Sequence, residues 1–321
     1  MDVLSDMLST IRLRSMVFTQ TELTAPWGIR AEPLSSFAFH IMARGSGWLE
    51  IDDDHGPIQI CAGDVAVIAP GRIHTLRDAP GTRARPLREW MATGAFAPMR
   101  AGGDEQPGLD ATTQVVCGCF HFEDPGSEVL LAALPAVIHT GATTSDVGPW
   151  LAQTIKLITY ESVTRLPGTE TVVNRLCDAL FVYVLRSYLA ESAKDESSWL
   201  RALVEPQIGA SLRLIHESPS EAWTVATLGT RVGMSRSAFA ARFAELVGET
   251  PMRYLTRWRL QKAAGMLRAG EAGIAEVAAH VGYDSEASFN KAFKRSIGVA
   301  PGSYRRTSRA PEAAWSAAPR S

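Results

Sequence analysis

Cysteine is scarce in this chain of 321 residues: four occur, none in the spacing of a disulfide framework. That argues against a small secreted fold stapled by bridges and suits a reducing compartment. No run of eighteen apolar residues is present, and the opening Met-Asp-Val-Leu-Ser-Asp has no basic stretch leading into an apolar one. Neither a membrane span nor a signal peptide is expected, and a cytoplasmic protein is. Net charge is also small, −2 at neutral pH, but the total conceals a division. Residues 1–200 hold 15 Lys/Arg against 24 Asp/Glu, whereas residues 201–309 hold 16 against 9. A basic carboxy-terminal segment is the electrostatic footprint of phosphate binding, so double-stranded DNA is the expected partner.

That basic segment carries one pattern twice. Val225, Leu228 and Val232 recur as Ile274, Val277 and Val281; Gly233 recurs as Gly282, Phe239 as Phe289, and Phe243 as Phe293. Gly248, Pro251 and Tyr254 recur as Gly298, Pro301 and Tyr304. The offset is 49 before the glycine and 50 after it, because Tyr283-Asp284-Ser285 is one residue longer than Met234-Ser235. Each copy reads as a helix, a tight turn through glycine, and a second helix, which is a helix-turn-helix. In the first copy Thr224 and Ser235 are N-caps, and Phe239, Phe243 and Leu246 face a core. Arg236, Ser237, Ala240 and Ala241 are left for the open side. The second copy buries Phe289, Phe293 and Ile297 and leaves Glu286, Ser288, Asn290, Lys291, Lys294 and Arg295 for the open side. Short polar and basic groups above an aromatic core suit a major groove. Between the copies, Thr250-Pro251 opens a long helix through Leu255, Trp258, Leu260 and Leu267. Two readers held by one rigid helix should contact major-groove segments about one turn, ~34 Å, apart.

The stretch Trp223 to Arg306, with its Leu-Gly-Thr-Arg-Val-Gly-Met-Ser-Arg-Ser-Ala-Phe and Val-Gly-Tyr-Asp-Ser-Glu-Ala-Ser-Phe-Asn-Lys-Ala-Phe segments, resembles the DNA-binding domain of the AraC/XylS family of bacterial regulators. The resemblance implies seven helices, two recognition helices and sequence-specific transcriptional control at a promoter or operator, with RNA polymerase as a further partner of an activator. Carried onto this chain, the base-facing positions are Ser237, Ala240 and Ala241 in the first reader, and Ala287, Ser288 and Lys291 in the second. Where relatives often carry Trp, Gln or Arg in the first reader, this chain has Ser and two Ala. Bidentate readout is then unavailable from positions 240 and 241, leaving methyl contact with thymine and the neighbouring Arg236 and Arg242. Arg242 is equally suited to a phosphate, which positions without specifying.

The acidic half divides again. Up to about residue 124 it shows short alternating segments between Gly, Pro and Asp: Phe37 to Met42, Gly47 to Ile51, Ile58 to Cys61, Asp64 to Ala69 and Gln114 to Phe122, which suggests a β-barrel or sandwich. Beyond Glu128 the period is helical. Val172, Val173, Leu176, Ala179, Leu180, Tyr183 and Leu185 make an apolar stripe on a helix of about twenty residues, with Trp150 to Tyr160 as its antiparallel partner. So apolar a pair either packs on the barrel or forms a subunit interface, and a homodimer is expected. The expected fold is α+β and two-part: a cupin-like β-barrel with a helical dimerisation segment, then an all-α double helix-turn-helix. Boundaries fall at 1–125 for the barrel, 126–196 for the helical segment, 197–206 for a linker, 207–307 for the DNA-binding domain and 308–321 for a disordered tail.

Within the barrel, Gly63-Asp64-Val-Ala-Val-Ile-Ala-Pro70-Gly71-Arg-Ile-His74 resembles the second motif of the cupin superfamily, in which that histidine often ligates a metal. His40 lies near the place of the degraded first motif, but no further ligands align, so neither a metal nor another cofactor is expected. The resemblance implies an effector pocket for a small molecule or an oxidant, and Trp27, His40, Trp48 and His74 are placed beside it. Cys117, Cys119 and His121 alternate on one strand and share a face. They read as oxidant-sensing thiols, as part of a Cys/His metal site with His40 or His74, or as small core hydrophobes. The Val-Val-Cys-Gly stretch resembles cupin-bearing regulators linked to reactive oxidants, though no cysteine precedes Cys61. A Cys117–Cys119 bridge is disfavoured, because same-face neighbours sit about 7 Å apart. Two rivals to a regulated transcription factor are a metal-dependent cupin enzyme with an appended DNA-binding domain and an architectural DNA binder.

Overall fold

A computed structural model of the protein describes residues 3–10, 13–52, 56–92, 112–122, 134–141, 148–164, 166–192, 201–270 and 272–309. The chain divides into two compact units. One comprises Leu13–Glu123 and Val129–Glu196; the other comprises Met1–Arg12, Asp124–Glu128 and Ser197–Ser321. The chain therefore opens in the second unit, with helix α1 (Val3–Thr10), before entering the first.

The first unit is a pair of five-stranded sheets. Its strands are β1 (Leu13–Thr24), β2 (Gly28–Ala31), β3 (Phe37–Arg44), β4 (Ser46–Ile51), β5 (Ile58–Cys61), β6 (Val65–Ile68), β7 (His74–Arg77) and β8 (Arg85–Pro86), then helix α2 (Leu87–Ala92), β9 (Thr112–Phe122) and β10 (Val137–Thr140). One sheet runs β1-β9-β3-β6-β10 and the other β5-β4-β7-β2-β8, all antiparallel but for β2 and β8. The inner faces share one apolar core, with Trp27, Ile29, Leu49, Ile60 and Leu76 from one side meeting Ala38, Met42, Ile68 and Val115 from the other. Period-two alternation puts these residues inside and their neighbours outside. Close approach is built in at Gly118, where a Cβ would lie 2.2 Å from the Met16 carbonyl oxygen and 2.4 Å from the Phe39 ring.

Among the described residues this unit also holds two longer helices, α3 (Gly148–Thr164) and α4 (Thr169–Ser192). The sequence left open whether α4 covers the barrel or a second subunit. Val173, Cys177, Leu180, Phe181, Val184 and Leu185 are buried, and Phe181 packs on Phe120 and Phe122 at ring separations of 4.9 and 5.3 Å. Polar ties at Thr140–Ser187 (2.6 Å) and Ser15–Asp178 (2.7 Å) fix its register on the sheet. So α4 packs on the barrel, with Val172 near its start exposed, and α3 carries three exposed apolar groups: Trp150, Leu157 and Tyr160.

The second unit continues through α5 (Arg201–Val204), α6 (Pro206–Glu217), α7 (Val225–Arg231), α8 (Arg236–Val247), α9 (Pro251–Ala269), α10 (Ile274–His280), α11 (Glu286–Ile297) and α12 (Pro301–Arg309). Part of the segment read as linker is thus helical, and helix continues to Arg309; residues 310–321, read as a disordered tail, lie outside the described residues. Helix α1 packs against α6 and α9, because Val3, Asp6 and Met7 form a buried stripe along it.

Candidate functional site

The two repeats fold as two helix-turn-helix pairs, α7–α8 and α10–α11. In the first, Thr224 and Thr227 form a reciprocal capping box, and the Ser235 hydroxyl accepts from the Ala238 N–H at 3.3 Å to start α8. In the second, the Ser285 hydroxyl accepts from the Ser288 N–H at 3.2 Å to start α11. The turn glycines, Gly233 and Gly282, have φ of 72° and 83°, a left-handed region that favours glycine. A Cβ at Gly233 meets nothing, whereas at Gly282 it would lie 2.8 Å from the Ser220 Cα.

Beneath each reader is a fully buried phenylalanine pair, Phe239–Phe243 and Phe289–Phe293, at ring separations of 5.6 and 5.5 Å. The opposite faces are open. Arg236, Ser237 and Ala241 are exposed on α8, with Ala240 and Arg242 half-buried; Ala287, Ser288, Lys291, Lys294 and Arg295 are exposed on α11, with Asn290 half-buried. Some of these groups are already engaged. Arg242 pairs with Glu245 at 3.0 Å on the surface, a weak tie that a phosphate could replace. The Ser288 hydroxyl donates to the Ser285 carbonyl at 2.8 Å, so Lys291 is the freer donor on the open face of α11.

In the barrel, the structure brings together a polar row that no local pattern encodes. Thr19, Cys117 and His40 are cross-strand neighbours on β1, β9 and β3. His40 Nδ1 lies 3.1 Å from Cys117 Sγ, and its Nε2 lies 2.8 Å from His74 Nε2 on the other sheet. Burial, then the neighbouring His74, hold His40 well below the ordinary imidazole range. Burial lowers His74 to about 4, against a smaller opposing effect of the Arg72 backbone. His74 Nδ1 and Thr19 Oγ1 are buried atoms that meet no hydrogen-bond partner at full geometry. Burial also pushes the thiols up, Cys117 to about 12 and Cys119 to about 11. At neutral pH the row is a chain of uncharged groups, with Cys117 a thiol.

The other expected pocket residues lie apart from this row. Trp48 alternates with the inward-facing Leu49 and Ile51 and pairs across the ladder with Arg77, so it sits on the outer face of its sheet; this corrects its expected place beside the pocket. Trp27 is in the apolar core, beyond the end of the β2–β7 ladder opposite to His74. His121 bonds Ser36 at 3.0 Å, and Cys119 is buried opposite Ala38. Thr19 was missed because it stands in a polar stretch with no apolar alternation. Among the described residues, no group of three or more His, Cys, Asp or Glu side chains is arranged to hold a metal ion.

Comparison with known proteins agrees with both halves. A cupin family model matches residues 2–190, and a helix-turn-helix domain model matches residues 228–307. A putative AraC-like transcription regulator of Streptomyces lividans is 34% identical over 310 residues, covering 95% of this chain and 98% of that protein. The HTH-type transcriptional regulator AlkR of Acinetobacter baylyi is 30% identical over 316 residues, covering 96% and 100%. The RCS-specific HTH-type transcriptional activator RclR of Escherichia coli is 28% identical over 308 residues, covering 95% and 97%. The solved DNA-binding domain of AdpA, a global transcriptional factor in complex with a target DNA, is 29% identical, covering 33% of this chain and 95% of that one at a TM-score of 0.31. With relatives matched along nearly their full lengths and a paired helix-turn-helix following a cupin module, the chain belongs to the AraC family of DNA-binding transcriptional regulators.

Proposed function

We propose that this regulator reads its operator chiefly through α11, and that a small molecule bound at the Thr19–Cys117–His40–His74 row governs the binding. The observation that carries the effector reading is that row itself: buried, uncharged polar groups in an apolar barrel, with the Thr19 Oγ1 and His74 Nδ1 atoms left unpaired, are what an organic ligand can satisfy. Neutral thiols favour an organic effector over an oxidant, because the thiolate is the oxidisable form. Such a protein acts in the cytoplasm, where its DNA is, and recruits RNA polymerase if it activates. It is not an enzyme on this reading; a metal-dependent cupin enzyme would instead carry stoichiometric metal by elemental analysis.

Arg236, Arg242, Lys294 and Arg295 serve as phosphate contacts, and Ser237, Ala240, Ala241, Ala287, Ser288, Asn290 and Lys291 face the bases. Fluorescence anisotropy of the full chain on DNA upstream of its own gene and on scrambled DNA tests this at one fixed salt concentration. Lys291→Ala is expected to weaken binding to the upstream duplex by about 1–3 kcal/mol and to relax preference at one base step. Equal losses on both duplexes would make Lys291 a phosphate contact instead.

The exposed apolar face of α3 is assigned to a second copy of the chain. Trp150, Leu157 and Tyr160 are 64%, 51% and 63% exposed at i, i+7 and i+10 of one helix, a stripe that a monomer rarely leaves in water. Sedimentation of Trp150→Asp/Tyr160→Asp should show a monomer where the native chain is a dimer. An unchanged dimer would move the interface elsewhere.

A further inference from the structure

The tyrosines that close the two repeats are held differently. Tyr304 receives a hydrogen bond from Arg268 of α9 at 2.7 Å, a partner within the repeat region. Tyr254, its counterpart, is bonded by His216 Nε2 at 2.8 Å, and His216 Nδ1 is bonded by Asp6 Oδ2 of α1 at 3.0 Å. All three residues are buried, and the His216 ring stacks on Trp258 at 3.8 Å. A carboxylate can only accept, so Nδ1 carries the proton and the Tyr254 hydroxyl donates to Nε2. Tyr254 in turn meets Phe243, the core residue of the first reader, edge-on at 5.7 Å. A line of contacts thus runs from the amino-terminal helix to the base of α8.

The seating of α1 is of a kind that can come undone. Eight residues are too few to hold a helix without packing. Among its residues whose burial is described, Val3, Asp6 and Met7 are buried, and a buried charge adds little net stability because desolvation offsets its pairing. After two intervening residues the chain enters β1, whose Thr19 flanks Cys117 in the effector row.

We propose that α1 is a releasable wedge of the DNA-binding unit: seated, its Asp6 locks His216 and Tyr254 under the first reader; withdrawn by a shift of β1, it leaves that reader loose and operator binding weak. The wedge is permissive, since its presence completes the support of α8. This rests on the reading that an effector acts at the barrel row, but the wedge itself is testable without one.

The test is hydrogen–deuterium exchange of the full chain and of Asp6→Ala, together with anisotropy on the upstream and scrambled duplexes. Asp6→Ala should speed exchange in α1 and α8, leave the barrel strands unchanged, and weaken upstream binding by on the order of tenfold, an ordinary size for coupling between sites. Should α1 stay protected in that variant, Asp6→Ala/Met7→Asp forces it out and the same readings apply. Free α1 amides with α8 protection and DNA affinity unchanged would overturn the proposal and leave α1 a passive cover. If the native chain does not prefer its upstream DNA, the operator reading fails there, and exchange in α8 still decides the wedge.

Discussion

Phe289→Ala is expected to unfold the second helix-turn-helix rather than retune its sequence preference. Phe289 is fully buried, with Tyr283 and Phe293 both 5.5 Å away ring to ring, in a core completed by Leu260, Ala263, Leu267, Val277 and Val281. Truncating such a ring removes its transfer free energy and leaves a cavity, together about 3–5 kcal/mol. A domain is typically stable by only about 5–15 kcal/mol, so the loss takes a large share of what holds α10 and α11 in place. Hydrogen exchange should rise across residues 272–309 while the barrel strands stay protected, and the melting temperature of the DNA-binding unit should drop. A variant that melts like the native chain but prefers different bases would show that Phe289 touches DNA instead.

Acid should loosen the barrel before it charges the row within it. In the unfolded chain both His40 and His74 titrate near pH 6.5, whereas folding holds both lower, His74 at about 4. Below pH 6.5 the unfolded state therefore binds protons that the folded state refuses. The stabilisation is complete above that pH and is lost progressively as pH falls to about 4, where folded His74 itself protonates. For His74 the loss amounts to about 3 kcal/mol, and His40 acts in the same direction without adding in full, because the two are coupled. His216 is also lowered, mainly by burial against the opposing effect of Asp6, so the DNA-binding unit has an acid dependence of its own. Urea unfolding of the native chain and of His74→Gln at pH 7.5 and 4.5 separates these contributions. The native midpoint should fall further on acidification than the variant's; equal falls would mean that His74 is not held neutral.

The helical repeats were legible because each buried position recurs at helical spacing and each helix carries its own cap. Thr224, Ser235, Phe239, Phe243, Phe289 and Phe293 all take the places their spacing implies. The strands β3, β4, β5, β6 and β9 could be read from apolar segments between turn residues. Strand β1 was not: among the described residues it lies at the edge of its sheet and pairs with β9 alone, and Thr19, Gln20, Thr21 and Glu22 give it no apolar rhythm. Strands β2, β7 and β10, four residues each like β5 and β6, carry a weaker apolar signal: Ile29 and Leu76 stand alone as large apolar residues in β2 and β7, and polar His139 and Thr140 fill the second half of β10. Trp48 could have been placed correctly, since it shares parity with Ser46 and Glu50 rather than with Leu49 and Ile51. The contacts of His40 with Cys117 and His74 depend on strand register, and Asp6 is 210 residues from His216, so no local pattern carries either.

The uneven burial of the four cysteines has a practical consequence. Cys61, at the end of β5, is exposed, whereas Cys119 and Cys177 are buried and Cys117 is enclosed beside His40. Burial pushes all three enclosed thiols far above the pH of ordinary labelling reactions, Cys177 with added repulsion from Asp178. A maleimide dye should therefore attach at one place on the native chain, giving a single optical reporter on the barrel without engineered cysteines.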